Sequence, residues 1–224
     1  MNYSIDEKYA MLDKIENDVN TSTEFTEEER MILRAFSSDE DDGIRSEVAK
    51  ILVNFTDEKE EKILLKLAGD TDELVRIEAC DSLSQSVRNE TIEFLMDVIE
   101  NDSSDLVRGY AVNSIGDISL KLSDSSEIIK YLKNYLEHEK EIFPQINALK
   151  CLYSLGIKKY FFNLIELLDT DIYQNRCAVI HNLVEIANED NRESIVFALN
   201  KRKAIEQSRA VITTINSALE EVNL

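Results

Sequence analysis

The stretch of sequence that decides the fold is DELVRIEACDSL, residues 72–83. Within it, Val75, Ala79 and Leu83 are spaced at i, i+4 and i+8, which places them on one stripe of an α-helix. An acidic turn precedes this stripe, and Arg76 follows its first apolar residue. The segment therefore predicts a helix that begins at a polar turn and buries one face.

The same segment recurs along the chain. DGIRSEVAKIL at 42–52 and DLVRGYAVNSI at 105–115 repeat it closely, and three weaker copies carry Gln145, Arg176 and Ser208 at the arginine position. The six key positions are 45, 76, 108, 145, 176 and 208, so the steps are 31, 32, 37, 31 and 32 residues. A nearly constant period of this length is typical of stacked structural repeats.

A second apolar segment lies between successive copies, for example at 63–68, 92–99 and 161–168. Each repeat is therefore predicted to be two antiparallel helices joined by a short polar turn. One such pair cannot bury both of its apolar faces, whereas stacked pairs share a continuous core. The sequence predicts an all-α solenoid of about six helix pairs.

The pattern of Val75, Arg76, Ala79 and Leu83, with its counterparts in the first and third copies, resembles the HEAT-repeat superfamily. The resemblance is to its short bacterial-type repeats, akin to those of phycobilisome lyases. It covers about residues 26–222 and implies a right-handed solenoid whose second helices line the concave side. It also implies that the repeated Asp and Arg join the turns along the stack, as in a pair between Asp72 and Arg76, so this arginine is expected to be structural.

Two of the six copies depart from the pattern. Pro144 and Gln145 stand where Val-Arg is usual, and the extra residues of this copy, within 123–141, predict a longer first helix or a larger turn. The sixth copy lacks both the acidic turn and the arginine, so its regularity is left open.

The N-terminus is predicted to form an additional helix within residues 1–20, broken by the polar residues 20–23. Thr26 and Glu29 then have the spacing of a capping box at the start of the next helix. No linker interrupts the chain, so residues 1–224 are predicted to be a single repeat domain with its repeats at 26–222.

Composition excludes several classes of protein. One Pro and five Gly among 224 residues cannot supply the turns of a β-sandwich or barrel. No apolar run approaches the roughly 18 residues of a membrane span, and the N-terminus lacks the basic and then apolar order of a secretory signal. Three widely spaced cysteines are typical of reduced thiols in a cytoplasmic protein.

The formal net charge of −20 bears on the kind of partner. It repels phosphate, so nucleic acids and anionic membranes are disfavoured. It suits a basic protein partner, although the charge can also serve solubility alone. Residues 1–100 contain 27 acidic and 11 basic side chains, whereas residues 101–224 contain 18 and 14. A basic partner is therefore expected to dock first on the N-terminal half.

No residue pattern indicates a catalytic, metal or cofactor site. The acidic run 39–42 lacks the alternating ligands of a calcium loop, and no short His or Cys spacing suits zinc. HEAT-type di-iron hydroxylases require several His-Glu pairs, and only His138-Glu139 is present. Cys177 and His181, one helical turn apart, are predicted to be a packed cysteine beside an exposed histidine rather than a nucleophilic pair.

A binding face follows from the helical register together with the resemblance. Side chains two, five and nine residues after each key position are predicted to point outward on the concave side. Lys150 and Glu185 belong to these rows, and Tyr110 is the leading single contact because tyrosine is enriched at binding hot spots. A solvated helix face is the alternative. Nine of these side chains are the candidate partner contacts: Glu47, Lys50, Glu78, Asp81, Tyr110, Asn113, Asp117, Asn147 and His181.

These observations predict a non-enzymatic protein-binding module, with no cofactor or metal, that holds a basic protein on its concave, N-terminally acidic face. An inhibitor or immunity-type protein that neutralises a basic toxin or nuclease is a sharper form of this hypothesis. The alternative is a lyase-like or modifying enzyme that uses the same groove. The oligomeric state is left open.

Overall fold

Helices form almost all of the chain. The computed structural model describes residues 3–22, 24–54 and 57–222, and this part of the chain contains thirteen α-helices and no β-strand, which confirms the all-α class. Short 3-10 turns continue three of the helices at Leu52–Asn54, Leu83–Gln85 and Leu167–Asp169. The helices are α1 Ile5–Ser22, α2 Glu27–Phe36, α3 Asp42–Ile51, α4 Glu58–Leu67, α5 Glu73–Ser82, α6 Asn89–Asn101, α7 Asp105–Lys121, α8 Ser126–His138, α9 Ile142–Ser154, α10 Tyr160–Glu166, α11 Tyr173–Glu185, α12 Arg192–Lys203 and α13 Arg209–Val222.

The chain divides into two compact units, Met1–Leu122 and Ser123–Leu224. Unit 1 contains α1 to α7, and unit 2 contains α8 to α13. Both are built from the predicted helix pairs. The single repeat domain expected over residues 1–224 stays a prediction.

In unit 1 the second helices of the pairs, which we call the inner helices, lie side by side. Helix α1 packs beside α3, α3 beside α5 and α5 beside α7, while α2, α4 and α6 pack against α3, α5 and α7. Burying one Val, Leu or Ile stabilises a fold by about 1.5–3 kcal/mol, so these stripes drive the stacking. All nine predicted stripe residues have an exposed fraction of 0%: Ile44, Val48, Leu52, Val75, Ala79, Leu83, Val107, Ala111 and Ile115.

Unit 2 repeats this arrangement with less regular sequences. Its inner helices α9, α11 and α13 lie side by side, α8 packs against α9, α10 against α9 and α11, and α12 against α13. The weaker copies therefore do form repeats, including the sixth, whose helix is α13. Their stripe residues are also fully buried: Ala148, Leu152, Val179, Leu183, Val211 and Ile215.

Hydrogen bonds from serines tie neighbouring inner helices of unit 1 together. Ser82 Oγ donates to the carbonyl oxygen of Ala49 at 2.9 Å, and Ser114 Oγ donates to that of Cys80 at 2.7 Å. Both serines lie six residues after a key arginine. A serine at this position is small enough to let the helices approach closely, and the hydrogen bond to the neighbouring helix satisfies its buried hydroxyl.

The N-terminal boundaries agree in part with the predictions. Helix α1 runs to Ser22, beyond the predicted break, because neither Gly nor Pro stands there to end it, and Thr23 lies outside the described residues. The capping box is confirmed: Glu29 N–H donates to Thr26 Oγ1 at 3.3 Å, and Thr26 N–H donates to Glu29 Oε2 at 2.6 Å.

The extra residues of the fourth repeat step lie where the sequence analysis did not place them. The prediction of a longer first helix or larger turn within 123–141 is wrong, because α8 contains 13 residues, the same number as α6. The α-helix of α7 instead continues to Lys121, over positions where α5 has already given way to a 3-10 turn. Ile118 on this extension is fully buried, and Lys121 Nζ donates to the Ser84 carbonyl at 2.9 Å. These contacts stabilise the added turn.

Candidate binding face

Arginines at the start of the inner helices connect successive turns. Arg45 donates from Nε and Nη2 to the two carboxylate oxygens of Asp70, at 2.7 and 2.8 Å. Its Nη1 donates to the carbonyl oxygens of Asp39 and Glu40, at 2.8 and 3.2 Å. The planar guanidinium thus joins the turn before its own helix to the turn of the next repeat.

The same contacts recur in both units. Arg76 donates to the carboxylate of Asp102 at 2.8 and 3.2 Å, and Arg176 donates to that of Glu206 at 2.9 and 3.0 Å. The expected partner of Arg76 was Asp72, four residues before it. Asp72 instead accepts two backbone N–H groups at the start of α5, at 2.9 and 3.1 Å, because capping needs its carboxylate there. These arginines are structural.

A lysine completes this series at the start of unit 1. Lys8 Nζ of α1 lies 2.5 Å from Asp39 Oδ2, so it holds the first turn acid as Arg45 holds the second. Burial raises the pKa of Asp39, but hydrogen bonds from Lys8 and from the Asp41 N–H, together with the positive charges of Lys8 and Arg45, outweigh burial and lower it. Helix α1 therefore stands in the place of an inner helix before α3.

The sixth repeat does have an acidic turn, contrary to the sequence analysis. Its acid is Glu206, whose side chain has an exposed fraction of 1%. Burial raises the pKa of Glu206, but hydrogen bonds from the Ser208 N–H, Arg176 and Arg202 outweigh burial and lower it to about 2. The acid escaped the sequence analysis because it lies in KAIEQS, residues 203–208, where no Asp marks the turn.

The acidic contacts predicted for unit 1 do come together. Glu47 on α3 and Glu78 on α5 are half-buried, and Asp81 on α5 is exposed. Burial raises the pKa of Glu78; Asp81 raises it further, Lys50 lowers it, and Glu47 raises it again. The carboxylates are thus close enough to repel one another, and a cation placed among them would relieve that repulsion.

Lys50 and Tyr110 border these acids. Lys50 Nζ lies 3.2 Å from a carboxylate oxygen of Glu47 and 3.3 Å from one of Glu16 on α1. Tyr110 on α7 is half-buried, and burial raises the pKa of its phenol, with further contributions from Asp81 and Glu78. We call Glu47, Lys50, Glu78, Asp81 and Tyr110 the acidic face.

Asn113 and Asp117 continue along α7 from Tyr110, and both are half-buried. The Oδ1 atom of Asn113 is buried and accepts no hydrogen bond from the part of the chain that the structure describes. A buried amide oxygen without a donor is costly to the folded state.

In unit 2 the outward register fails at two positions. Asn147 and Lys150 of α9 were expected to face outward, but their exposed fractions are 6% and 3%. Asn182 Nδ2 of α11 donates to Asn147 Oδ1 at 3.0 Å, and Lys150 Nζ donates to Glu185 Oε1 of α11 at 2.8 Å. The neighbouring inner helix covers both side chains, so neither offers a contact surface to a partner.

His181 is exposed, as predicted, and lines a groove between α11 and α13. The groove holds about 450 Å³. Sequence reasoning missed its α13 wall, although the same register puts Thr213 and Ser217 five and nine residues after position 208. The groove is lined by His181, Val184, Glu185, Thr213, Thr214, Ser217, Ala218 and Glu221.

The three cysteines are free thiols. Burial raises the pKa of Cys80 to about 12, which leaves it protonated at neutral pH. Cys151 is buried as well, and Cys177 is half-buried and accepts a hydrogen bond from Thr214 Oγ1 at 3.6 Å. Cys177 beside the exposed His181 matches the packed cysteine of the sequence analysis.

The acidic run 39–42 is occupied by structural contacts. Asp39 pairs with Lys8, and Asp41 caps α3 by accepting the Ile44 N–H at 3.0 Å. Within residues 3–22, 24–54 and 57–222, no three His, Cys, Asp or Glu side chains are grouped so as to hold a metal ion. None of the thirteen helices in this part of the chain is long and apolar enough to cross a membrane.

The repeated turn, stripe and arginine contacts can be compared with those of known proteins. The family model described as HEAT repeats matches residues 30–116. The predicted resemblance to the HEAT-repeat superfamily is thereby confirmed. No curated protein matches the sequence of the chain.

Solved structures extend the likeness over the whole chain. One is the complex of CpcE and CpcF of phycocyanin lyase from Nostoc sp. PCC7120, with a TM-score of 0.60 and 16% identity over 99% of this chain and 91% of that chain. Another is the YibA protein of E. coli, with a TM-score of 0.57 and 14% identity over 100% of this chain and 80% of that chain. Identities this low show a shared fold, which confirms the all-α solenoid class, and they leave function to the residues of this chain.

Proposed function

We propose that the protein is a non-enzymatic HEAT-repeat module that holds a basic protein partner on its inner helices. The observation that carries the proposal is the acidic face of unit 1, where burial, Asp81 and Glu47 raise the pKa of Glu78 close to a half-buried Tyr110. A cationic partner side chain gains Coulomb energy there and relieves repulsion between carboxylates.

Burial makes this face more effective than other acidic surfaces. Exposed carboxylates are strongly screened by solvent, so a contact with one of them contributes little. Glu78 and Tyr110 are partly desolvated before any partner arrives. Lys50 offsets some of the charge through Glu47 and Glu16, so a partner's lysine or arginine competes with an internal ion pair.

An inhibitor or immunity-type protein that neutralises a basic toxin or nuclease is the form of this function that the charge favours. Its place of action is proposed to be the cytoplasm, which suits three free thiols. The rival function is a lyase-like or modifying enzyme with its substrate on the same helices. Bound small molecules that co-purify with the protein and are released on unfolding would favour the rival.

Charge reversal tests the proposal. Glu47→Lys with Glu78→Lys reverses the acidic face, while Glu93→Lys with Glu100→Lys makes the same change in net charge on exposed positions of α6. Native-host lysate is passed over each immobilised protein, and captured proteins are identified and then titrated at about 50 and 300 mM salt. A basic protein held by the wild type and the α6 variant, but at least tenfold more weakly by the acidic-face variant, supports the proposal. Equal affinity for all three proteins would refute it.

A further inference from the structure

The groove between α11 and α13 combines apolar and hydroxyl side chains with two carboxylates. Val184 and Ala218 give it apolar surface, and Thr213 and Ser217 contribute hydroxyl groups along the α13 side. Its volume of about 450 Å³ is sufficient for one or two long side chains. The groove lies wholly within unit 2 and is separate from the acidic face.

Two carboxylates of the groove lie at the C-terminal ends of its helices, where cations are normally favoured. Glu185 is the last residue of α11, and Glu221 lies in the last turn of α13. Neither last turn contains a basic residue. Because the C-terminus of a helix carries partial negative charge, an acid there is unfavourable, and a cation placed nearby is stabilised by both acids and both helices.

Within residues 3–22, 24–54 and 57–222, a cation neutralises only one of these two acids. Lys150, buried beneath α11, donates to Glu185 at 2.8 Å and does not line the groove. Glu221 is exposed, and none of the ion pairs in the described part of the chain includes it. The negative potential of the groove is therefore concentrated at Glu221, with Glu185 as a second acceptor.

We propose that this groove takes a lysine or arginine side chain of a protein partner. The aliphatic stem lies over Val184 and Ala218, and the charged group is held by Glu221 and Glu185 at the ends of α13 and α11. The inference rests on the proposed function, because it assigns a second anchoring point to the same basic partner. A carboxylate or phosphate group is disfavoured here, since it would meet two acids and two negative helix ends.

The test uses the full-length protein labelled with ¹⁵N and the peptide acetyl-Gly-Gly-Arg-Gly-Gly-amide. A matched peptide carries citrulline in place of arginine, which preserves shape and removes the charge. We expect the arginine peptide to shift the amide signals of α11 and α13 at millimolar concentration, and the citrulline peptide to bind at least threefold more weakly. No shift in these helices, or equal binding of the two peptides, overturns the proposal.

A matched pair of variants separates the groove from net charge. Glu221→Gln removes the groove carboxylate, whereas Glu220→Gln makes the same change one residue earlier, at an exposed position outside the groove. Glu221→Gln is expected to weaken binding of the arginine peptide about threefold to fivefold, and Glu220→Gln by less than about twofold. Equal effects of the two variants would show attraction to overall charge only and overturn the proposal. Thermal unfolding of each variant confirms that both are folded.

The two proposals fail in different ways. If the peptides do not bind the groove but partner capture still depends on Glu47 and Glu78, the groove inference is wrong and the proposed function stands. If the arginine peptide binds the groove but the charge reversal at Glu47 and Glu78 leaves partner capture unchanged, the acidic face is not the docking surface.

Discussion

Replacing Arg176 with Met tests whether the turn arginines hold the repeats together. The guanidinium of Arg176 makes four hydrogen bonds: two to the carboxylate of Glu206, at 2.9 and 3.0 Å, and two to the carbonyls of Thr170 and Asp171, at 2.6 and 2.9 Å. Its side chain has an exposed fraction of 9%. Methionine keeps much of the apolar stem, so the change removes chiefly these polar contacts.

The magnitude follows from what the substitution leaves behind. Removing one partner of a buried ion pair costs about 3–5 kcal/mol, since the other charge remains buried. Arg202 still donates to Glu206 at 2.8 Å and reduces the loss. We therefore expect Arg176→Met to lower the free energy of unfolding by about 3 kcal/mol, a large part of the total of about 5–15 kcal/mol for a typical domain.

The assay is urea unfolding followed by circular dichroism at neutral pH, with Arg192→Met as the control. Arg192 is an exposed arginine at the start of α12, and its replacement should change the free energy of unfolding by less than about 0.5 kcal/mol. The double variant Arg176→Met with Glu206→Leu should recover about half of the loss, because no buried carboxylate is then left without its main partner.

Two results would refute this reasoning. A loss of less than about 1 kcal/mol for Arg176→Met would mean that the turn contact does not stabilise unit 2. A double variant whose loss equals the sum of the two single losses would mean that the two side chains act independently and that the isolated charge is not the cause.

Three further predictions follow from individual contacts. The pKa of Glu206 is lowered from 4.5 to about 2, so its contribution to stability is complete above pH 4.5 and is lost as the pH falls towards 2. The difference in unfolding free energy between wild type and Glu206→Gln should accordingly shrink between neutral pH and about pH 3. A Cβ at Gly43 would lie 2.3 Å from Tyr9 Oη, so Gly43→Ala should stabilise α3 only in a Tyr9→Phe background, by up to about 1 kcal/mol in thermal unfolding; a gain of that size with Tyr9 in place contradicts this. A thiol reagent at neutral pH should label Cys177 in the folded protein and reach Cys80, whose pKa is about 12, only after unfolding; early labelling of Cys80 contradicts its burial.

Local pattern was enough to predict the helical repeats. Val75, Ala79 and Leu83 are fully buried as the i, i+4, i+8 spacing indicates, and Thr26 with Glu29 forms the capping box. Such features depend on residues within one or two turns of one another. The sequence therefore carries them directly in its spacing.

The candidate site was predictable only where no neighbouring helix covers the side chains that the helical register directs away from the core. Glu47, Glu78 and Asp81 lie together as the register indicates, because the neighbouring inner helices of unit 1 cover those positions only in part. Asn147 and Lys150 share the register but are buried under α11. Burial depends on how closely the next helix approaches, and spacing within one helix does not contain that distance.

The sequence alone determined the fold class, the repeat step and the concentration of negative charge in the first hundred residues. The tertiary structure decided which turn acid each arginine binds. Arg76, for example, pairs with Asp102, 26 residues ahead, and not with Asp72. It also decided that Glu206 is a buried acid and that α11 and α13 form the walls of an open groove lined in part by Glu221. The physical reason is that helical periodicity is a local property, whereas ion-pair choice and groove shape arise from distances between segments about one repeat apart.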